Sequence, residues 1–233
     1  MKSPIFIAEV GMNYNNNFEL CFELIKQAKN SGANFAKFQL GWRDGDGEIN
    51  QLDNDKISLL YEWGTYFEIE ILFSIISENA FSLIKNFNPK YLKIASRTIV
   101  EKPDLAKKIL NMKVSTLCSL GMWRENEPPF DINKNNNLYY LWCKSKYPCH
   151  PKDMTDLPKN FLNSIYSGYS DHTIGIETCL IALSRGASII EKHFTLDKSD
   201  NIIRDHSLSA TPREFKNLVE IGTDIYKKIQ IGV

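Results

Sequence analysis

No uninterrupted apolar run in this 233-residue sequence approaches the ~20 residues that a membrane-spanning helix needs. An excess of charge of either sign is missing as well. Lys plus Arg and Asp plus Glu number 28 each, so the net charge is zero, and a chain without a global positive field is a poor general nucleic-acid binder. Cysteine is sparse: Cys21, Cys118, Cys143, Cys149 and Cys179 are odd in number, scattered, and include no C-x-x-C. That pattern argues against a disulfide framework or a zinc knuckle and fits reduced thiols in the cytoplasm. The G-x-G-x-x-G turn of a dinucleotide-binding sheet is also lacking; Glu9-Val10-Gly11-Met12-Asn13 has a single glycine. Met1-Lys2-Ser3-Pro4 leads straight into a strand-like segment, so no signal peptide is expected. No internal repeat at solenoid periods is present.

What is there is the composition of a globular protein, 43% hydrophobic and 24% charged, with a regular beat. Short apolar runs fall at 5–10, 34–39, 70–74, 91–95, 114–119, 138–143, 165–170 and 187–193. Between most of them lie stretches with helical spacing, at 18–31, 55–67, 78–86, 102–110, 176–185 and 212–229. Thr211-Pro212 followed by Glu214 reads as an N-cap, a proline at the first helical position and an early acidic residue. Ser31-Gly32-Ala33 and Arg185-Gly186-Ala187 place glycine just past a helix and before a strand. Strands alternating with helices imply parallel pairing through right-handed crossovers. Eight of them predict an α/β fold, one (β/α)8 TIM barrel filling residues 1–233 as a single domain. The interval from Trp123 to Asn137, with its Pro-Pro pair and asparagine run, predicts a degenerate connection in place of the helix after the fifth strand.

In such a barrel the reactive groups sit at the C-terminal ends of the strands. Here those ends carry Glu9; Lys37 and Gln39; Lys93 and Ser96; Ser119; Ser145 and Tyr147; Ser170-Asp171-His172; and Glu191-Lys192-His193. Lys37 and Lys93 interrupt apolar strands, where an unpaired ammonium is costly. They point either to structural ion pairs with Glu9 or Glu191 or, with the ring of serines, to an anionic ligand such as phosphate or carboxylate. His172 and His193 end neighbouring strands and can reach one divalent cation, with Glu9 completing a mixed shell for Mn²⁺, Fe²⁺, Co²⁺ or Zn²⁺. Asp205 and His206 follow in a loop, as a base, a further ligand or a plain surface pair.

Read in order, IAEVGMNYNNN (7–17), GANFAKFQ (32–39), YLKIAS (91–96), SLGM (119–122), SKYP (145–148), GYSDHTIGIE (168–177), IIEKHFT (189–195) and RDHSLSATP (204–212) resemble the N-acetylneuraminate (sialic acid) synthase family over nearly the whole chain. The resemblance implies condensation of phosphoenolpyruvate with a sugar aldehyde to a nonulosonic or related 3-deoxy-ulosonic acid plus phosphate, in surface-polysaccharide biosynthesis. It makes His172 and His193 ligands of a divalent metal, usually Mn²⁺, with Mg²⁺ or Co²⁺ as alternatives. It makes Glu9, Asp205 and Glu191 the catalytic carboxylates. Phosphoenolpyruvate falls to Lys37, Lys93, Ser96, Ser119, Ser145, Tyr147 and Ser170, with Gln39 and Arg97 beside them in substrate binding.

Where the sequence departs from the family, the changes cluster. The turn after the third strand reads Ser74-Ile75-Ile76-Ser77 instead of an STPF-like turn, and Ala95-Ser96-Arg97-Thr98 replaces G-S-G-E, so that Thr98 stands for a carboxylate. The loop 41–54 is short for the family, and the antifreeze-like (SAF) domain that completes the acceptor site is not in the sequence. Donor and metal residues are thus kept while acceptor residues change, which predicts an acceptor other than plain N-acetylmannosamine, met by Arg97, Trp123 and Arg124. A homodimer or a partner protein is expected to supply the lid. Two other readings stand beside this one: a metal-dependent lyase or aldolase of an α-keto sugar acid, and a catalytically silent scaffold barrel.

Overall fold

A computed structural model describes residues 3–42 and 50–232. Among them eight parallel strands, paired in chain order, close into a barrel: β1 (Ile5–Gly11), β2 (Phe35–Leu40), β3 (Glu70–Ile75), β4 (Tyr91–Ile94), β5 (Ser115–Ser119), β6 (Leu138–Cys143), β7 (Tyr166–Asp171) and β8 (Ile189–His193). Each lies within two residues of the bounds expected from the apolar runs. Around them pack α1 (Leu20–Asn30), α2 (Asn54–Tyr66), α3 (Glu78–Ile84), α4 (Ser96–Glu101), α5 (Pro103–Leu110), α6 (Glu177–Ser184) and α7 (Pro212–Gln230). The start signal of α7 works as read: Thr211 N–H donates to Glu214 at 2.8 Å, and the Thr211 side chain accepts from the Glu214 N–H.

Successive strand side chains point to opposite faces, and here that alternation sorts chemistry by height. Outward residues such as Phe6, Val10, Phe38 and Phe73 join the large core under the helices. The inward set begins with an apolar plug of Ile7, Phe35, Leu72, Leu117, Leu141 and Ile189, with Tyr91 against it. Two residues further along the same strands the inward positions become Glu9, Lys37, Ser74, Lys93, Ser119, Ser170 and Glu191. The barrel therefore has a dry floor and a charged layer directly above it.

Two glycines permit this. A Cβ on Gly168 would lie 2.1 Å from the Ile189 carbonyl oxygen, so only glycine lets β7 approach β8 this closely. Gly11 (φ +58°) sits at a register shift in β1, where pairing with β2 skips one residue after Glu9 and resumes at Gly11 opposite Phe38.

The outer layer is thinner than expected. No helix forms between β5 and β6, as the Pro-Pro pair predicts, but β6 and β7 are also joined without an α-helix, by a 3-10 turn at Pro151–Asp153 and irregular chain. Phe130, Ile132, Met154, Leu157 and Phe161 cover the sheet there instead. The fourth connection differs too. Helix α4 starts two residues after β4, which puts Ser96 in a helical first turn and not at a strand end. Pro103 then stops α4 and starts α5. The loop expected to be short, 41–54, lies partly outside the described residues, at 43–49.

Candidate active site

The charged layer is a continuous chain of contacts. Lys37 Nζ lies 3.0 Å from Glu9 Oε2 and 3.2 Å from Glu191 Oε2, and donates to Ser74 Oγ at 3.1 Å. Lys93 Nζ lies 3.2 Å from Glu191 Oε1, which also accepts the Ser170 hydroxyl at 2.7 Å. Gln39 donates to Glu9 Oε1 at 3.1 Å. All four charged side chains are buried, Lys93 at 2% exposure and Glu191 at 5%. The first of the two alternatives for the lysines is realised: they form ion pairs with Glu9 and Glu191, at the floor of an open cavity. An ammonium has three donors. Lys37 has an oxygen neighbour for each, whereas Lys93 has one such neighbour among the described residues.

The two carboxylates are pushed apart electrostatically. Burial raises the Glu9 carboxyl, against the pull of Lys37 and with a further push from the Glu191 charge. Glu191 is desolvated too, but two lysines hold it well below the usual carboxylate range. One carboxylate is fixed as an anion; the other has the higher affinity for a proton.

His172 and His193 stand above this layer with ring centroids 5.5 Å apart. His172 Nδ1 lies 2.9 Å from the Lys144 carbonyl, which makes Nδ1 the donor of that contact. Burial lowers His193 to about 4, so it is neutral, and its Nδ1 is a buried polar atom with no hydrogen-bond partner among the described residues. Two imidazoles at this spacing, one oriented by a backbone carbonyl and one with an orphaned nitrogen, fit a shared divalent cation. Below them, Glu9 has Lys37 3.0 Å from its Oε2 and accepts from Gln39 at its Oε1, and no three His, Cys, Asp or Glu side chains gather as a metal cage among the described residues.

The remaining residues line the same cavity of about 990 Å³, so every residue expected to act as a catalytic group, substrate contact or metal ligand in the family reading converges on one mouth. Ser96 Oγ accepts the Gly121 N–H at 3.0 Å, Ser119 Oγ is buried without a partner, and Ser145 Oγ sits 3.8 Å from Cys143 Sγ. Tyr147 packs against His172 with the rings tilted (4.1 Å between centroids) and carries the Arg204 guanidinium on its ring at 4.4 Å. Arg204 pairs with Asp205 at 2.9 Å. Asp205 is held below its ordinary range: burial opposes this, and the fields of His193 and Arg204 outweigh it. Arg97 lies over the Trp42 ring at 5.3 Å, on the wall between the cavity and a side pocket of about 270 Å³ that Thr98 and Lys102 also line. Trp123 and Arg124 line the main cavity.

His206 is neither base, ligand nor surface pair. It is buried away from the cavity, bonded to Thr195 Oγ1 at 2.7 Å and to Asn15 Oδ1 at 2.8 Å, where it pins the loop after β8 to the loop after β1. The sequence reading also passed over Ser74, Cys143 and Arg204. Ser74 and Cys143 face inward near the tops of β3 and β6, a position that strand alternation marks without any motif. Arg204 leaves no such signal, since only the loop's path brings it onto Tyr147.

Comparison with known proteins places these residues in a lineage. The NeuB family profile matches residues 48–232. The chain is 33% identical over 251 residues to N,N'-diacetyllegionaminic acid synthase of Legionella pneumophila, covering 92% of this chain and 70% of that one. It is 30% identical to the synthase of the same name from Campylobacter jejuni, covering 100% and 79%. Its structure superposes on an N-acetylneuraminic acid (sialic acid) synthetase from Leptospira borgpetersenii, solved in complex with citrate, with a TM-score of 0.88 and 27% identity, covering all of this chain and 87% of the other. The match spans the barrel and the strand ends that build the cavity, and with it the chain belongs to the NeuB family.

Proposed function

We propose that this barrel condenses phosphoenolpyruvate with an open-chain sugar aldehyde to give a nonulosonic acid and phosphate. The observation that carries the reading is the sorted layer above the barrel floor: a buried lysine with donors to spare, a fixed anion beside it and a carboxylate of raised proton affinity, all beneath two histidines. Lys93, Ser96, Ser119 and Ser145 offer donors to a phosphate and a carboxylate, and Lys37 holds the two glutamates in place.

His172 and His193 would hold a divalent ion, Mn²⁺ by family resemblance, and when bound it supplies Lewis acidity toward the aldehyde carbonyl. The methylene carbon of phosphoenolpyruvate then forms a bond to that carbonyl carbon, leaving positive charge at the former enol carbon. Water adds there, its proton passing to Glu9, and loss of phosphate gives the α-keto acid. Glu191, ionised and adjacent, stabilises the positive carbon, and Asp205 meets the acceptor at the rim. Relatives named for legionaminic and N-acetylneuraminic acids differ in their sugar, and Arg97, Trp123 and Arg124 are the residues proposed to choose it here. A homodimer or a partner protein would close the mouth, and the reaction would run in the cytoplasm.

The test is calorimetric titration of phosphoenolpyruvate into Mn²⁺-loaded protein, followed by phosphate release with a panel of 2-acetamido sugar aldehydes. Micromolar binding that disappears in Lys93→Ala, Mn²⁺ uptake that disappears in His172→Ala, and phosphate release with at least one aldehyde are expected. A folded, Mn²⁺-loaded protein that does not bind phosphoenolpyruvate would overturn the proposal.

A further inference from the structure

The two strands that carry the histidines bear a second ionic cluster on their other face. Asp171 and Lys192 are register partners across β7 and β8. They alternate with Ser170 and His172 on one strand and with Glu191 and His193 on the other, so they point outward, beneath α6. There the Lys192 ammonium lies 2.8 Å from Asp171 Oδ2, and both side chains are wholly shut from solvent, at 0% exposure each.

An ion pair in that layer is a poor way to gain stability, since an apolar pair of similar volume does as well or better. What the pair does is hold backbone. Asp171 Oδ1 accepts the Thr173 N–H at 2.8 Å and the Tyr169 hydroxyl at 2.5 Å, and Oδ2 accepts the Thr173 hydroxyl at 3.1 Å and the Cys179 thiol at 3.2 Å. The Lys192 ammonium also donates to the Thr173 carbonyl. Thr173 is thereby fixed at both its N–H and its carbonyl by one ion pair. The residue caught between the anchors Asp171 and Thr173 is His172, and the residue that follows Lys192 is His193.

We propose that Asp171 and Lys192 form a positioning clamp that sets the separation of His172 and His193 for a divalent cation, an inference that rests on the metal reading of those histidines. The pair touches neither the cavity nor the ion. It acts by tying the backbone of one histidine to the strand of the other.

The experiment measures Mn²⁺ affinity by the electron paramagnetic resonance signal of free Mn²⁺, the visible spectrum of the Co²⁺-loaded protein, and Tm, on Lys192→Met and on the double variant Asp171→Leu/Lys192→Met. The double variant, with no uncompensated charge, is expected to melt within a few degrees of wild type. Its Mn²⁺ affinity is expected to fall ten- to a hundredfold, as when supporting partners of metal ligands are removed, with a changed Co²⁺ spectrum. Wild-type affinity and an unchanged spectrum in a folded double variant would overturn the clamp, because a merely structural pair is restored once stability is. Should neither variant fold, Lys192→Arg keeps the charge with a bulkier head. It is expected to fold and to weaken Mn²⁺ binding, and unchanged affinity there would also overturn the proposal, as would failure of all three variants to fold. Failure of the metal reading looks different: wild-type protein takes up no Mn²⁺, or His172→Ala binds it as well as wild type does.

Discussion

The Lys37 ammonium stands between two carboxylates that it cannot serve equally. Glu191 has Lys93 and the Ser170 hydroxyl as well, while Glu9 has only the Gln39 amide in addition. Burial therefore wins at Glu9 and loses at Glu191, and the two should respond oppositely to the same change. Glu9→Gln removes a charge whose folded-state pKa is raised, that is, a charge the fold disfavours. Differential scanning calorimetry at pH 7 should find Tm unchanged or higher by about 2–4 °C, roughly the effect of 1 kcal/mol in a chain of this size, while turnover is lost. Glu191→Gln leaves buried Lys93 with no carboxylate beside it and Lys37 with Glu9 alone, and should cost about 3–5 kcal/mol by urea denaturation. His193 adds a pH dependence. Its folded pKa of about 4 lies below the ordinary 6.5, so the unfolded chain binds the proton first. Its contribution is complete above pH 6.5 and is lost as the pH falls toward 4, about 3 kcal/mol in total at 1.36 kcal/mol per unit. In metal-free protein the difference in stability between wild type and His193→Gln should shift by that amount across this window; a difference independent of pH would refute the assignment. These residues were legible because costly polar groups stood at apolar strand ends. Asp171 and Lys192 stood in the same motifs, and alternation places them on the outer face, where a charge is equally costly. They escaped notice because the histidines beside them already explained the motif.

At the level of elements, the strands were easy to find and the connections were not, for physical reasons. Every barrel strand is buried on both faces, so each reads as an apolar run even where its inward residues turn polar. The connections after β5 and β6 have no such constraint. Chain without periodicity can cover a sheet, and it does so through Phe130, Ile132, Met154, Leu157 and Phe161. Helix α4 was missed because Lys102–Leu110 holds the clear amphipathic signal, whereas a six-residue helix ended by Pro103 is too short to show a period. The loop that replaces a helix after β5 is tied to the barrel at Phe130: the buried Tyr140 hydroxyl accepts the Phe130 N–H at 2.9 Å and donates to the Phe130 carbonyl at 2.8 Å. Tyr140→Phe should therefore cost about 1–3 kcal/mol, since it strands a donor and an acceptor on a half-buried residue. Hydrogen exchange should become faster in residues 124–137 while the amides of β1 and β2 keep their protection. Uniform acceleration across the barrel would mean that this loop is not an independent element.

For the whole molecule, zero net charge sets how an anionic substrate can be captured. With no global field to steer it, the work falls to charges near the cavity, and those at the rim are largely spent. Lys144 pairs with Asp156 at 2.8 Å, Lys146 with Asp153 at 2.8 Å, Arg204 with Asp205 at 2.9 Å and Arg97 with Glu101 at 3.8 Å. Lys93, by contrast, lies on the floor, buried, with donors free of protein partners among the described residues. The two locations differ in how salt reaches them, because the Debye length is ~8 Å at 0.15 M and buried pairs are screened much less than exposed ones. If Lys93 anchors phosphoenolpyruvate, raising the salt from about 50 to 500 mM should weaken its binding less than about threefold, whereas anchoring at the rim should weaken it tenfold or more. Titrations of Lys93→Ala and Lys144→Ala at both salts separate the cases. Floor capture requires Lys93→Ala to abolish binding at either salt and Lys144→Ala to leave the Kd nearly unchanged. The reverse pattern would move the anion to the rim and leave the buried layer a structural one.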